Sequence, residues 1–558
     1  MRRRAKLYDM EKIRKIFRSI EEKEVSITAF LGVFCGVVFT RVLIEQFIAL
    51  SSPISPFELV IEFIHNLFFF SITFILISFF LSWFLKENVV KFSGLFLWAS
   101  LLIIFPPVFD MIRTGGEVFW SFYLISSVAD LRMQFLTFFG HMPTGILYFG
   151  TRIVFTLAIL LIGLFLLYKT KSLIKSAIGA VGVYIILFVM GAFPSIFVFI
   201  YEFFLGKGKI SRIRSFNVAQ FWGTPQRIWS IDSLGIKYAF AYKLDLVFYI
   251  FLLFLLAVIF YQISRKKFWA VLANFRYPQL IYHSGLFLIG MGLGLLNYPN
   301  NFQIDLFSVF SVFVLLSSVF LAWKTSVIVN DIYDFKIDEI SNPNRPLPQK
   351  VFTVSQYGQL GILCFFLSLL GGITVGFPFF FLLLGYQTLA WFYSAPPLRL
   401  KKFPAVATFV SAVASIFILF MGYILISPDQ SIHSLSWRII LLLLISYTIS
   451  IPIKDLKDIE GDKKYGIWTI PVILGEDRGR LVIAVGMFTS YILSVFFLNE
   501  LKLFFWALLF GAVTFLIVVS KKIKPTRVFW WVLGAVSVYL LILVKIVFVN
   551  NIGAWIKL

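Results

Sequence analysis

Runs of about twenty apolar residues follow one another along the whole chain, and a soluble core cannot absorb so many. Hydrophobic residues make up 60% of the 558 and charged residues only 14%. A soluble protein needs roughly 25% charged residues to cover its surface. A soluble enzyme, a disordered chain and a disulfide scaffold are therefore excluded. The two cysteines, Cys35 and Cys364, lie inside apolar runs and read as packing residues. Lys and Arg number 50 against 28 Asp and Glu, a formal charge of +22. In a chain this apolar, the excess belongs to cytoplasmic loops rather than to a nucleic-acid surface. The expectation is an all-α polytopic membrane protein, embedded in lipid and without a nucleic-acid partner.

Residues 1–26 carry Arg2, Arg3, Arg4, Lys6, Lys12, Arg14, Lys15 and Arg18 among several glutamates, too long and too charged for a signal peptide. They read as a basic cytoplasmic segment. About six spans are expected next, near 27–50, 58–85, 92–110, 145–168, 176–205 and 244–263. Residues 264–276 read as a cytoplasmic linker with Arg265, Lys266, Lys267 and Arg276. About nine spans follow in 277–558, near 279–298, 305–331, 357–376, 377–394, 404–427, 436–455, 480–499, 501–521 and 527–550. Loops on one face of this second half gather twenty Lys and Arg, against Lys502, Lys557 and the edge residue Arg438 on the other. Positive charge marks the cytoplasmic side, so the orientation of the second half follows, in a cell membrane.

The first half fits that bias less well. Six spans leave 206–243 outside, although it holds Lys207, Lys209, Arg212, Arg214, Arg227, Lys237 and Lys243. Either this loop breaks the bias, or the stretch 116–140, with Glu117, Asp130 and Arg132, enters the membrane. Trp222 and Trp229 in the basic loop read as interfacial tryptophans. His65 and His141 have no metal-ligand spacing with Glu117 or Asp130, and polar residues satisfied at helix interfaces are the plainer reading. Gly290, Gly292 and Gly294 read as helix-packing positions. His283 and His433 fall near span ends.

The chemistry is concentrated in the second half. At the cytoplasmic end of its second span stand Asn330, Asp331, Asp334 and Asp338. At 100° per residue the three carboxylates fall at about 0°, 300° and 340°, one stripe on one helix face. Asp455, Asp458 and Asp462 repeat that spacing at the end of the sixth span, on the same side of the membrane. An ionised Asp inside a span costs about 2.5–3.5 kcal/mol, so six unpaired ones would approach roughly 15–20 kcal/mol. A wet helix end lowers that cost, and a multivalent cation removes the mutual repulsion. An all-oxygen cluster suits Mg²⁺, which commonly bridges carboxylates to phosphates. Solvated helix ends would explain one such triad, but two of identical spacing beside basic residues argue for a built site. Arg345, in Asn344-Arg345-Pro346-Leu347-Pro348, and Arg399 and Lys401, after Tyr393-Ser394-Ala395-Pro396-Pro397, supply the cations that a diphosphate would need.

These four segments, with Thr469-Ile470-Pro471, resemble the UbiA-type intramembrane prenyltransferases over about residues 275–558. The resemblance implies a nine-helix bundle with a cavity open to the bilayer, preceded here by a membrane domain of about six helices. It implies Mg²⁺ and prenyl diphosphate at Asn330, Asp331, Asp334 and Asp338, and a second metal and the acceptor at Asp455, Asp458 and Asp462. The implied activity is transfer of a polyprenyl group from its diphosphate to a lipophilic acceptor. Tyr393 would shield the allylic cation, and Asp458 or Asp455 would take the acceptor proton. The acceptor stays open between a quinone precursor and a glycerol-phosphate lipid. A rival from another class is a divalent-cation or lipid transporter that uses the same acidic clusters, although transport sites usually lie near the midplane. Residues 27–263 resemble no family, and their protein partners are open.

Overall fold

The computed structural model describes residues 25–48, 55–115, 124–125, 127–140, 149–205, 213–224, 236–301 and 304–549. Among them every regular element is a helix, and fourteen helical stretches are long and apolar enough to cross a membrane. The protein is an integral, multi-pass membrane protein. It forms two compact units, one ending at Arg265 and one beginning at Lys266.

The first unit contains Ile27–Ile48 (α1), Pro56–Leu85 (α2), Ser93–Ala99 (α3), Phe105–Thr114 (α4), Val128–Leu136 (α5), Phe149–Thr170 (α6), Leu173–Gly191 (α7), Phe193–Phe204 (α8), Ser215–Gly223 (α9) and Ile236–Ile263 (α10). Ser55 caps α2 in a capping box with Glu58, and Pro56 stands in its first turn. The span expected at 176–205 is two helices, because Pro194 starts a new one after the turn at Ala192. The stretch 116–140 holds only the nine-residue α5 among its described residues, too short to cross a bilayer.

Several readings of this half change. Trp222 is not interfacial: α9 turns it inward, fully buried, with its indole Nε1 donating to the Pro194 carbonyl at 3.1 Å. Lys243 is buried in α10 and donates to the Phe221 carbonyl at 2.9 Å, so it belongs to no surface loop. His65 is paired with Asp245 of α10, Nδ1 to Oδ1 at 2.7 Å, a residue far outside its sequence neighbourhood. The segment 1–24, and Glu117, His141, Lys207, Lys209, Arg212, Arg227 and Trp229, lie outside the described residues.

The second unit contains Arg265–Ala273 (α11, entering from the boundary), Tyr277–Asn297 (α12), Leu306–Tyr333 (α13), Phe335–Ser341 (α14), Val354–Val375 (α15), Phe377–Ser394 (α16), Pro404–Ile426 (α17), Trp437–Ser450 (α18), Ile459–Lys464 (α19), Ile470–Leu474 (α20), Glu476–Leu498 (α21), Phe504–Val519 (α22) and Pro525–Val544 (α23). Sharp starts come from proline in the first turn of α12, α16, α17 and α23, and from Asp305 and Thr353 capping α13 and α15.

Helices α12 and α17 lie backbone to backbone. A Cβ built on Gly290 would stand 2.1 Å from the Leu419 carbonyl oxygen, and one on Gly422 would stand 1.9 Å from that of Phe287. Backbone cannot step aside as a flexible side chain can, so both positions demand glycine. Gly294 is also used, with Ile426 Cβ at 2.7 Å, whereas Gly292 meets nothing within 4 Å and is no packing position.

Each acidic stripe sits at a helix break rather than on one continuous helix. Helix α13 ends at Tyr333, Asp334 adopts φ −103°, ψ 11°, and α14 begins at Phe335. Asp458 adopts φ −107°, ψ 8° between a 3₁₀ segment, Ile451–Lys457, and α19. Main-chain bonds cross both breaks: Asp338 N–H donates to the Asp334 carbonyl at 2.8 Å, and Asp462 N–H to that of Asp458 at 2.9 Å. A regular helical wheel therefore describes neither stripe. The short helices α14 and α19 pack together where Gly461 has no side chain. A Cβ there would meet Ser341 Oγ at 2.2 Å and the Ile337 methyl at 3.1 Å.

Candidate active site

Close packing of α14 on α19 brings the two acidic stripes to the polar end of one cavity. Its volume is about 630 Å³, within the range of small-molecule sites. Asp334, Asp338, Asp455, Asp458 and Asp462 line it, with Asn330, Asn342, Arg276, Arg345, Lys401, Lys454 and Lys457. From there it extends along α12 and α23, where Leu288, Ile289, Val536, Leu540 and Val544 line it.

The first stripe is held almost wholly by cations and amides. Asp331 stands behind the cavity wall with its side chain fully buried. Its Oδ1 accepts from Arg276 at 2.7 Å and Arg345 at 3.3 Å, and its Oδ2 from Asn274 at 2.7 Å and Tyr357 at 3.2 Å. Asp334 accepts from Asn330 at 2.7 Å, from Arg399 at 3.0 Å and from Lys401. Asp338 accepts from Arg345 and, at 3.2 Å, from Asn342. Asn342 also donates to Asp458 at 3.3 Å, so one amide joins the two stripes.

Beyond that link the second stripe is sparsely paired. Among the described residues no hydrogen-bond donor reaches the Asp455 or Asp462 carboxylate. Lys454 instead donates to the Tyr393 hydroxyl at 3.0 Å, with its ammonium 4.8 Å from the ring centre. A lysine thus already sits at the hydroxyl end of the aromatic ring nominated to shield a cation. No group of three or more His, Cys, Asp or Glu is gathered tightly enough to hold a metal ion among the described residues. Around the first stripe, Arg345, Arg399 and Lys401 stand between the carboxylates.

Burial pushes the Asp338 carboxyl up to about 6, with Asp331 adding to the shift and Arg345 opposing it. Asp462 is pushed up to about 7, by burial first and then by the charges of Asp455 and Asp458. Burial also draws the Lys401 ammonium down, against the pull of Asp334. Both carboxyls start from 3.8, so the fold keeps protons that the unfolded chain has already released between about pH 4 and 7. Stability from these groups is complete below that window and is lost as the pH rises through 6 and 7. The melting temperature in metal-free buffer is therefore expected to fall between pH 5 and pH 8. Asp462→Asn should flatten that fall, and an unchanged slope in this variant would refute the assignment. Fluorescence melting in detergent provides the check.

Several residues of the site were not singled out from the sequence. Arg276 and Lys454 looked like ordinary basic loop residues, and Asn274 and Tyr357 carried no pattern. Asn342 stands four residues after Asp338, a helical neighbour that a closer reading of spacing would have found. His283 is no span-end residue without a partner. It is fully buried in α12, with Nε2 3.4 Å from the Tyr386 hydroxyl and its ring 5.1 Å from that of Trp323.

Comparison with known proteins bears on this unit. Residues 285–533 match the UbiA prenyltransferase family. The chain is similar to the digeranylgeranylglyceryl phosphate synthase of Pyrococcus horikoshii, 27% identical over 166 residues, which are 30% of this chain and 57% of the relative. It is 29% identical over 199 residues to the homogentisate phytyltransferase of Synechocystis, covering 31% of this chain and 62% of the relative. It is 30% identical over 217 residues to the chloroplastic chlorophyll synthase of Avena sativa, covering 36% and 54%. The chain thus spans between about half and two thirds of the length of these curated relatives. A solved UbiA homologue from Archaeoglobus fulgidus, bound to GPP and Mg²⁺, aligns with TM-score 0.40 and 18% identity, over 48% of this chain and 96% of its own. The second unit, over residues 285–533, is a UbiA prenyltransferase family domain.

Proposed function

We propose that the second unit transfers a polyprenyl group from its diphosphate to a lipophilic acceptor, a quinone precursor or a glycerol-phosphate lipid, on the cytoplasmic side of the membrane. The observation that carries this reading is one cavity with five carboxylates and five cations at one end and an apolar channel along α12 and α23. The polar end suits a diphosphate and the channel suits a hydrocarbon tail. Relatives named as a phytyltransferase and as a synthase of digeranylgeranylglyceryl phosphate support the same chemistry.

The donor set fits Mg²⁺, because carboxylate and amide oxygens line the polar end and the Asp455 and Asp458 charges already raise the Asp462 carboxyl. Asp334 and Asp338 on one side and Asp455, Asp458 and Asp462 on the other would hold it. Bound Mg²⁺ would neutralise charge on the departing diphosphate.

The chain's own groups do the rest. Arg276, Arg345 and Lys401 line the cavity and are cations available to the diphosphate, and Arg345 and Lys401 would trade contacts with Asp331, Asp338 and Asp334 for contacts with phosphate oxygens, while Arg399 reaches the site through Asp334. The apolar channel excludes water from the allylic carbon as its bond to oxygen breaks. Asp458, oriented by Asn342, or its neighbour Asp455 would take the acceptor proton. Lys454 fixes the Tyr393 hydroxyl and so holds the ring in place at the cavity wall.

The test is diphosphate release from geranylgeranyl diphosphate by the purified full chain, supplied with a membrane lipid extract. Release is expected with Mg²⁺ and is expected to stop with EDTA, and the prenylated product names the acceptor. Uptake of Mg²⁺ into proteoliposomes without any such turnover would overturn the reading in favour of a transporter.

A further inference from the structure

Lys324 is an ammonium in the body of α13, a membrane-crossing helix, and it is 1% exposed. Ionisable side chains at such places are costly, so a retained one calls for a reason. Its Nζ donates to the carbonyls of Val271 at 3.1 Å and Asn274 at 3.2 Å, and lies 5.3 Å from the ring centre of Phe275. The neighbouring Trp323 donates its indole N–H to the Phe275 carbonyl at 3.1 Å. These carbonyls belong to the last turn of α11 and the turn beyond it, where helix ends leave acceptors unpaired.

Seven residues further along α13, and so on nearly the same face, stands Asp331. It receives the side chains of the same turn: Asn274 Nδ2 at 2.7 Å and Arg276 Nη2 at 2.7 Å. Helix α13 therefore grips residues 271–276 twice, by their backbone at Lys324 and Trp323 and by their side chains at Asp331. The turn needs holding, because Arg276 has φ +53°, a left-handed conformation unfavourable for a residue with a Cβ. Arg276 is also the member of the turn that lines the cavity, with about a quarter of its side chain (23%) exposed.

We infer that Lys324 is a positioning residue for the anion site. It holds the 271–276 turn in the strained conformation that presents the Arg276 guanidinium to the diphosphate of the donor. The inference rests on the prenyl-transfer reading and adds to it a residue that touches neither substrate nor any acidic motif.

Arg276 would contact the diphosphate before its bond to carbon breaks as well as after, so its misplacement appears chiefly in KM and in the Kd of pyrophosphate, with a smaller loss in kcat as charge grows on the leaving group. The experiment uses the full chain as wild type, Lys324→Met, Lys324→Gln, Lys324→Arg, Arg276→Gln and the Lys324→Met/Arg276→Gln pair. It measures KM and kcat for geranylgeranyl diphosphate, and the Kd of inorganic pyrophosphate by calorimetry with Mg²⁺ present. Lys324→Met is expected to raise KM and Kd by about tenfold to a hundredfold, the usual range for outer partners of a site. Its kcat should fall by less than KM rises. Lys324→Gln, which can still serve one carbonyl, should fall between, and Lys324→Arg should recover most of the affinity. The pair should be no worse than Arg276→Gln alone, since both changes remove one contribution. If Lys324→Met is too unstable to purify, the Gln and Arg variants decide by the same ordering. A wild type that turns over while these variants keep its KM and Kd, or a pair whose losses add, overturns the role of Lys324 alone. A wild type that neither binds pyrophosphate nor turns over overturns the prenyl-transfer reading, and this inference with it.

Discussion

Asp334→Ala is expected to lower turnover by roughly 10³-fold while leaving a folded protein, since one charge at the reacting centre of a water-poor site is worth about that much. The reason is its position. Asp334 alone is shared by Asn330, Arg399 and Lys401, so its loss frees two cations at once and removes an oxygen donor from the polar end of the cavity. The fold should survive because Arg399 is about a quarter exposed and burial already draws the Lys401 ammonium down, so each can do without its partner's charge. Asp334→Asn keeps the shape and not the charge, and it should fall nearly as far. The measurement is single-turnover diphosphate release at saturating Mg²⁺, beside a melting curve for each variant. Turnover within tenfold of wild type in either variant would remove Asp334 from the reacting centre.

Arg345→Met should act on stability first. Arg345 is largely buried and serves two buried carboxylates, Asp331 and Asp338. Asp331 would keep Arg276, but Asp338 would be left with the amide of Asn342. Breaking a buried pair in this way typically costs about 3–5 kcal/mol, because a charge stays behind without compensation. The loss should shrink at pH 5, where Asp338, already pushed up to about 6, can take a proton and shed its charge. Adding Asp338→Leu to Arg345→Met should restore much of the stability without restoring activity. Melting at pH 8 and pH 5 checks both statements, and a loss equal at the two pH values would contradict them.

Much of this site could be read from the chain because its carboxylates repeat one spacing at two helix ends. Asp331, Asp334, Asp338, Asp455, Asp458 and Asp462 are local patterns, and so are the apolar runs that became α12, α13 and α17. What escaped the reading depends on contacts between distant segments. Asn274 and Arg276 matter because Asp331 lies beside them in space. His65 belongs with Asp245, 180 residues away. The breaks at Asp334 and Asp458 escaped for another reason, since a hydrophobic period of 3.6 continues through a kink that preserves the main-chain bonds. Trp222 was misplaced because a tryptophan beside lysines has the composition of a membrane interface, whatever its rotamer later buries. Lys324 carried a usable signal, as the one lysine within the apolar span of α13.

The glycine contact between α12 and α17 has a practical corollary for anyone redesigning the substrate range of this domain. Wall positions on these two helices offer little latitude, because their separation is set by backbone atoms at Gly290 and Gly422. The wall formed by α23 is different: its apolar window is 11% buried, against 61% for that of α17. Val536, Leu540 and Val544 line the channel from a helix with room behind it. Trimming these three side chains is the route by which the channel could be lengthened for a longer hydrocarbon, and enlarging them is the route by which it could be shortened. A library confined to α23 would sample chain length without disturbing the seam that holds the rest of the bundle.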